Sequence, residues 1–104
     1  MNQEMFRQGD VLVVRANELP ESSEEVAWQD RVVLAYGEVT GHAHAIDALK
    51  AKMYAHGEVR FLVIGKDGAD LKHEEHSPIH LKEGIYRIVH QREYAPDMDR
   101  IVKD

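Results

Sequence analysis

Residues 59–64 read Val-Arg-Phe-Leu-Val-Ile, a run of six that lies between Gly57-Glu58 and Gly65-Lys66-Asp67-Gly68. β-Branched and aromatic side chains of this kind suit the pleated, buried surface of a β-strand. The glycines on either side are turn signals. Residues 31–36, Arg-Val-Val-Leu-Ala-Tyr, have the same character. Both runs therefore predict strands.

Shorter runs of the same kind recur along the chain, at residues 11–14, 85–89 and 101–102. Turn signals separate these runs, and no long helical pattern lies between them. This spacing predicts an all-β fold, a small barrel or sandwich that forms a single domain over residues 1–104. The glycine-containing segment at 65–68 predicts a hairpin that joins residues 59–64 to residues 69–72.

At most one short helix is expected, and two stretches of the sequence are candidates for it. Residues 21–28 follow Pro20 and fit either a short helical turn or an exposed loop. Residues 46–54 contain good helix formers but are short for a stable isolated helix. The alternative for this second stretch is a loop that leads into a strand at residues 52–55.

Length and composition exclude several classes of protein. The chain has 104 residues, of which 43% are hydrophobic and 31% charged, which is typical of one globular domain. It has no cysteine, so disulfides and thiolate metal sites are excluded. The net charge of −6 and the lack of a basic run predict no nucleic-acid binding. Without a long apolar run or a leader-like start at residues 1–4, we expect no membrane association and a cytoplasmic location.

Histidine is the residue type that points to chemistry. Five of the seven histidines fall in two groups, His42 with His44 and His73 with His76 and His80. In an extended segment the first two share a face, with Cβ atoms about 6.5 Å apart. Two imidazoles leaning together from there can bind one ion at about 2.1 Å. The first group therefore predicts a pair of metal ligands.

The second group is interrupted by Pro78, which disfavours helix at Ser77. We expect a tight turn that carries His73 and His76 into a strand at Ile79, with His80 on that strand. The spacing of His73 and His76 is one residue too short for the helical motifs of zinc peptidases, so that activity is not expected.

Histidines without cysteine favour zinc, iron, nickel, copper or manganese as the divalent metal. We rank His42 and His44 first as ligands, then His76 and His80, and then His73. Carboxylates that can complete the site are Glu38, Asp47, Glu74 and Glu75. An ion with an open position polarises a bound water or substrate oxygen, and Glu74 or Glu75 is then the candidate general base.

Alternatives to a metal site remain open. The histidines can be surface residues with no shared role, as we expect for His56, or satisfied core residues, as we expect for His90. They can also form a pH-responsive cluster, since protonation of all seven moves the formal charge from −6 to +1. The protein is then a non-enzymatic interaction or assembly module, with a protein partner or a homo-oligomer.

A glycine followed by two histidines one residue apart, here Gly37, His42 and His44, resembles the first motif of the cupins. The resemblance implies a compact β-barrel that holds a divalent metal inside it. Pro78 and His80 stand where the resemblance implies a later motif with a further histidine.

Overall fold

The computed structural model describes residues 4–37 and 41–90. Within these residues the chain forms strands and turns and no helix. The strands are β1 (Met5–Gln8), β2 (Val11–Ala16), β3 (Glu24–Val26), β4 (Arg31–Tyr36), β5 (Ala43–Asp47), β6 (Ala51–His56), β7 (Val59–Ile64), β8 (Ala69–His73), β9 (His76–Leu81) and β10 (Gly84–His90). The predicted all-β class is confirmed.

The strands form two antiparallel sheets that enclose one core. The larger sheet has the order β1-β2-β10-β7-β6-β3, and the smaller sheet has the order β4-β5-β8-β9. Alternate side chains of each strand point between the sheets, as the two-residue repeat of a strand requires. Val13, Leu62 and Tyr86 of the larger sheet meet Ile46 and Leu71 of the smaller one, and all five are buried. Burial of these side chains from both sheets stabilises the pair.

The local pattern of side chains predicted several strands within a residue or two. The strands expected at residues 31–36 and 59–64 have those bounds. Residues 21–28 contain strand β3 rather than a helical turn, and residues 46–54 run from the end of β5 through a turn into β6. The run at residues 101–102 lies outside the described residues.

The predicted hairpin between residues 59–64 and 69–72 is wrong. β7 pairs with β6 and β10, whereas β8 pairs with β5 and β9 in the other sheet. Both edges of β7 are already occupied, so the chain after it must leave the sheet. The N–H of Gly65 donates to the carbonyl of Lys50 at 3.0 Å, which extends the pairing of β7 with β6 by one residue before the chain leaves the sheet. The turn at 65–68 is therefore a crossover between sheets.

Two bulges interrupt the smaller sheet. Between β4 and β5 the pairing shifts by one residue at Leu34. Between β8 and β9 the partners Leu71↔Ile79 and His73↔His76 leave two residues, Ser77 and Pro78, opposite Lys72 alone. Proline has no N–H to donate to a ladder, which suits it to a bulge on an edge strand. Each bulge changes which face the following side chains occupy.

Candidate metal centre

The second histidine group is arranged by a hairpin. Glu74 and Glu75 form a two-residue turn between β8 and β9, and His73 and His76 are the partners that close it. Directly opposed partners in an antiparallel pair have side chains on the same face. Their ring centroids are 4.8 Å apart. The predicted tight turn is therefore present, with the strand beginning at His76.

Pairing of β5 with β8 brings the two histidine groups together. Ala45 is the partner of Lys72, which places His44 level with His73 in the antiparallel register. The ring centroids of His44 and His73 lie 4.2 Å apart. His42, just before β5, has its ring centroid 5.8 Å from that of His73. We call His42, His44, His73 and His76 the histidine cluster.

Distances within the histidine cluster suit a shared ion. The His44 and His76 ring centroids are 5.9 Å apart. Imidazoles on one tetrahedral ion have centroids about 5 Å apart, since each nitrogen lies about 2.1 Å from the metal. His42, His73 and Glu74 each offer a ligand atom, and these three atoms lie within 4.8 Å of one another. Donor atoms of His42 and of the β8–β9 hairpin are thus close enough to bind a common cation, whereas His44 and His76 adjoin this group through ring contacts.

The histidine cluster lies in a cleft of about 740 Å³ at one end of the two sheets. Glycines form part of its wall and allow the backbone to approach the rings. A Cβ atom at Gly9 would lie 2.8 Å from Nε2 of His76, and one at Gly37 would lie 3.1 Å from Nε2 of His73. Other lining side chains include Asp10, Tyr36, Glu75 and His90.

His44 is the most enclosed member, with 5% of its surface exposed. Its pKa is lowered from 6.5 to about 4, first by burial and then by the positive charges that His73 and His76 can carry. Both effects oppose protonation of the ring. At neutral pH His44 is therefore uncharged, the form of imidazole that binds metals.

The side-chain amide of Gln8, at the end of β1, contacts His44 and two backbone carbonyls close to it. Its Oε1 lies 2.9 Å from Nδ1 of His44. Its Nε2 donates to the carbonyls of Leu71, at 2.9 Å, and Ser77, at 3.0 Å. Gln8 is 2% exposed. Sequence analysis missed this residue, because a single glutamine before a glycine turn has no distinguishing pattern.

The other rings differ in what their nitrogens contact. Nδ1 of His42 is buried and makes no hydrogen bond to any described residue, although Oε2 of Glu75 lies 3.1 Å away. Nδ1 of His73 accepts the backbone N–H of Glu75 at 3.0 Å. The Glu75 carboxylate is thus close to His42 without forming an aligned hydrogen bond with it, which leaves this buried nitrogen incompletely satisfied.

The two candidate bases face different ways. Oε1 of Glu74 accepts the N–H of Ala43 at 3.0 Å, and this hydrogen bond is the main reason that the pKa of Glu74 is lowered. Glu74 lines a second cleft on the outer side of the smaller sheet, whereas Glu75 lines the cleft of the histidine cluster. Asp47 also lines the outer cleft, and Glu38 lies outside the described residues.

His80 does not join the histidine cluster. It is exposed in the outer cleft, where its Nδ1 lies 2.8 Å from Oδ1 of Asp70. It was predicted as a ligand together with His76, and in a regular strand residues four apart do share a face. The bulge at Ser77 and Pro78 inserts one residue, so Ile79 packs on the core and His80 points away from it.

Of the two remaining histidines, His56 is a surface residue as expected, whereas His90 is half-buried at the edge of the cleft rather than in the core. His56 is exposed at the end of β6. His90, at the end of β10, donates from Nε2 to the carbonyl of Leu34 at 2.9 Å. This bond links the two sheets at the first bulge and satisfies a ring nitrogen of His90.

Residues 7–91 match the model of a family described as a domain of unknown function, DUF8820. The chain belongs to this family. The matched part of the DUF8820 domain contains Gln8, the histidine cluster and both bulges. No curated protein and no solved structure matches the chain. Among the described residues of the DUF8820 domain, no helix could cross a membrane.

Proposed function

We propose that this DUF8820 domain binds a divalent metal ion at the histidine cluster. The observation that carries the proposal is the convergence of imidazoles from two hairpins around His44, which is buried and uncharged at neutral pH. Four imidazoles that include the buried His44 and have no shared ligand would repel one another on protonation, and this arrangement has no evident structural advantage over apolar packing. A cation shared by the rings would give this arrangement a purpose, because the ring nitrogens would then act as its ligands.

His44 anchors the proposed site because it reaches the metal-binding form without losing a proton. His42 adds a buried nitrogen that lies 3.1 Å from Oε2 of Glu75 without an aligned hydrogen bond among the described residues. His73 contributes at a cost, since binding through Nδ1 gives up the bond from the N–H of Glu75. His76 is exposed, and its ring lies beside those of His44 and His73. Glu74 offers an oxygen close to His42 and His73 from the side of the outer cleft.

The proposed ligands restrict the identity of the metal to ions that bind both imidazole and carboxylate. Zinc, iron, nickel and manganese fit a site of histidines with one carboxylate. The cupin resemblance at Gly37, His42 and His44 supports the same class of ligand. The cytoplasmic location expected from composition fits such a metal domain and stays a prediction.

An open coordination position in the cleft would let the ion polarise a bound water or a substrate oxygen. Glu75 is the better candidate for a general base, because it lines this cleft. Glu74 is the weaker one, because its lowered pKa makes it a poorer proton acceptor.

Metal content of the full chain tests the proposal. We expect protein purified without a metal-binding tag to contain about one equivalent of metal, and the His44→Ala variant to lose most of it, because a buried ligand is removed. His56→Ala is the matched control, since it removes an exposed histidine far from the cleft. Elemental analysis after gel filtration provides the measurement.

Two results of this experiment would count against the metal site. One is wild-type protein that contains no metal and fails to bind added zinc, nickel, manganese or ferrous iron. The other is equal loss of metal in the His44→Ala and His56→Ala proteins. Either result would favour the alternative of a non-enzymatic interaction module, with a protein partner or a homo-oligomer.

Substitution of Gly37 tests whether the rings beside it belong to the metal site. A Cβ atom there would lie 3.1 Å from Nε2 of His73 and 3.2 Å from Cβ of His42. We expect Gly37→Ala to weaken zinc binding by about tenfold, because displacement of a ligand by a fraction of an ångström costs about 1–2 kcal/mol. Isothermal titration with zinc measures the affinity.

Gly65→Ala is the control for this substitution. A Cβ atom at Gly65 would meet only the carbonyl of Lys50, at an ordinary 3.6 Å. Equal zinc affinities for the Gly37→Ala and Gly65→Ala proteins would show that the rings near Gly37 are not part of the site.

A further inference from the structure

We propose that Gln8 is the positioning residue of the histidine cluster, holding both hairpins in register and fixing which nitrogen of His44 faces the metal. The inference rests on the proposed metal site for its functional consequence. The contacts that carry it belong to the metal-free chain. Gln8 does not line the cleft and acts through its contact with His44.

The orientation of the Gln8 amide is determined by its partners. Nε2 lies within hydrogen-bond distance of two carbonyls, those of Leu71 and Ser77. An amide turned the other way would place Oε1 against both of these oxygens, with no donor between them. Because the amide is fixed, Oε1 is the atom that faces His44.

That orientation selects one tautomer of His44. Oε1 of Gln8 can only accept, so Nδ1 of His44, 2.9 Å away, must carry the proton. The neutral ring then has its lone pair on Nε2. Histidines that bind metals through one nitrogen almost always donate the other N–H to such an acceptor. Gln8 thus prepares His44 to bind through Nε2.

The same amide ties the second hairpin to the first. Leu71 lies on β8 and Ser77 on β9, the two strands that carry His73 and His76. The bulge at Ser77 interrupts the ladder between these strands, and Nε2 of Gln8 donates to a carbonyl on each side. Gln8 therefore links three strands, β5, β8 and β9, and holds the rings of both groups at a fixed separation.

Two substitutions separate these roles. Gln8→Met keeps the length of the side chain and removes both the acceptor and the donor. Gln8→Glu keeps an acceptor for His44 but places a second oxygen against the carbonyls of Leu71 and Ser77. Gln29→Met is the matched control, because Gln29 is exposed between β3 and β4.

Nitrogen-15 NMR of the metal-free chain reads the tautomer directly, and a competition titration reads zinc affinity. We expect His44 to carry its proton on Nδ1 in the wild type and in Gln8→Glu, and to lose this preference in Gln8→Met. We expect zinc affinity to fall by about 10- to 100-fold in Gln8→Met and to be unchanged in Gln29→Met.

Finding the His44 proton on Nε2 in the wild type would overturn the inference, as would a Gln8→Met protein with wild-type tautomer and zinc affinity. If Gln8→Met does not fold, the Gln8→Glu protein decides: loss of the Nδ1 proton there counts against the inference, and its retention supports it. A wild type with the expected tautomer but no zinc binding would reject the proposed function and leave the Gln8 contact supported.

Discussion

Acidification of the metal-free protein from pH 7 to pH 4 is expected to lower the free energy of unfolding by up to about 3 kcal/mol through His44 alone. In the folded state the pKa of His44 is about 4, against 6.5 for the free side chain. Between these values the unfolded chain binds a proton that the folded chain does not. The contribution of His44 to stability therefore falls as the pH drops through this window and levels off below pH 4, where its ring is protonated in both states.

Urea unfolding at several pH values, with a chelator present, measures this slope. His44→Asn removes the titrating ring and keeps a side-chain N–H that can donate to Gln8, so we expect a flatter dependence between pH 6.5 and pH 4. His56→Asn should leave the slope of the wild type intact, because His56 is exposed. The same slope in the wild type and in His44→Asn would show that His44 titrates normally and is not enclosed as described.

Zinc is expected to raise the stability of the wild-type chain by about 3–4 kcal/mol at 100 to 1,000 times its dissociation constant, because it binds the folded state. For a domain of this size that corresponds to an increase in Tm of roughly 10–30 °C. Thermal unfolding followed by circular dichroism, with and without zinc, measures the shift. A chelator should reverse it.

The double variant His42→Ala/His44→Ala should show little of this increase, because both ligands of the first hairpin are removed. His80→Ala should keep it, since His80 lies in the outer cleft with Asp70. An equal rise in Tm for the double variant would mean that zinc binds elsewhere. Loss of the rise in His80→Ala would place the ion in the outer cleft.

Strand positions could be predicted because their cause is local. Residues 31–36 and 59–64 carry the β-branched and aromatic side chains that a buried strand needs, and both form strands with those bounds. The partner of each strand could not be predicted in this way. Gly65 and Gly68 mark a turn in either case, and only the occupied edges of β7 show that this turn leads to the other sheet.

The candidate ligands likewise combine a local pattern, which the sequence shows, with a distant pairing, which it does not. The pairs His42 with His44 and His73 with His76 are visible as spacings of two and three residues. Their meeting depends on the register of β5 with β8, which joins residues almost thirty positions apart. Gln8 is still further along the chain from the residues that it contacts, and no sequence pattern distinguishes it.

The order of residues alone determined that this chain forms strands, lacks thiolate chemistry and concentrates its imidazoles in two short segments, because strand preference and donor type are properties of the side chains themselves. Tertiary structure decided which of those imidazoles meet. One inserted residue at the Ser77–Pro78 bulge turns His80 outward while His76 stays with His44 and His73. In a structure whose side chains alternate with a period of two, a single bulge reverses every face beyond it, and its position depends on pairing with a distant strand.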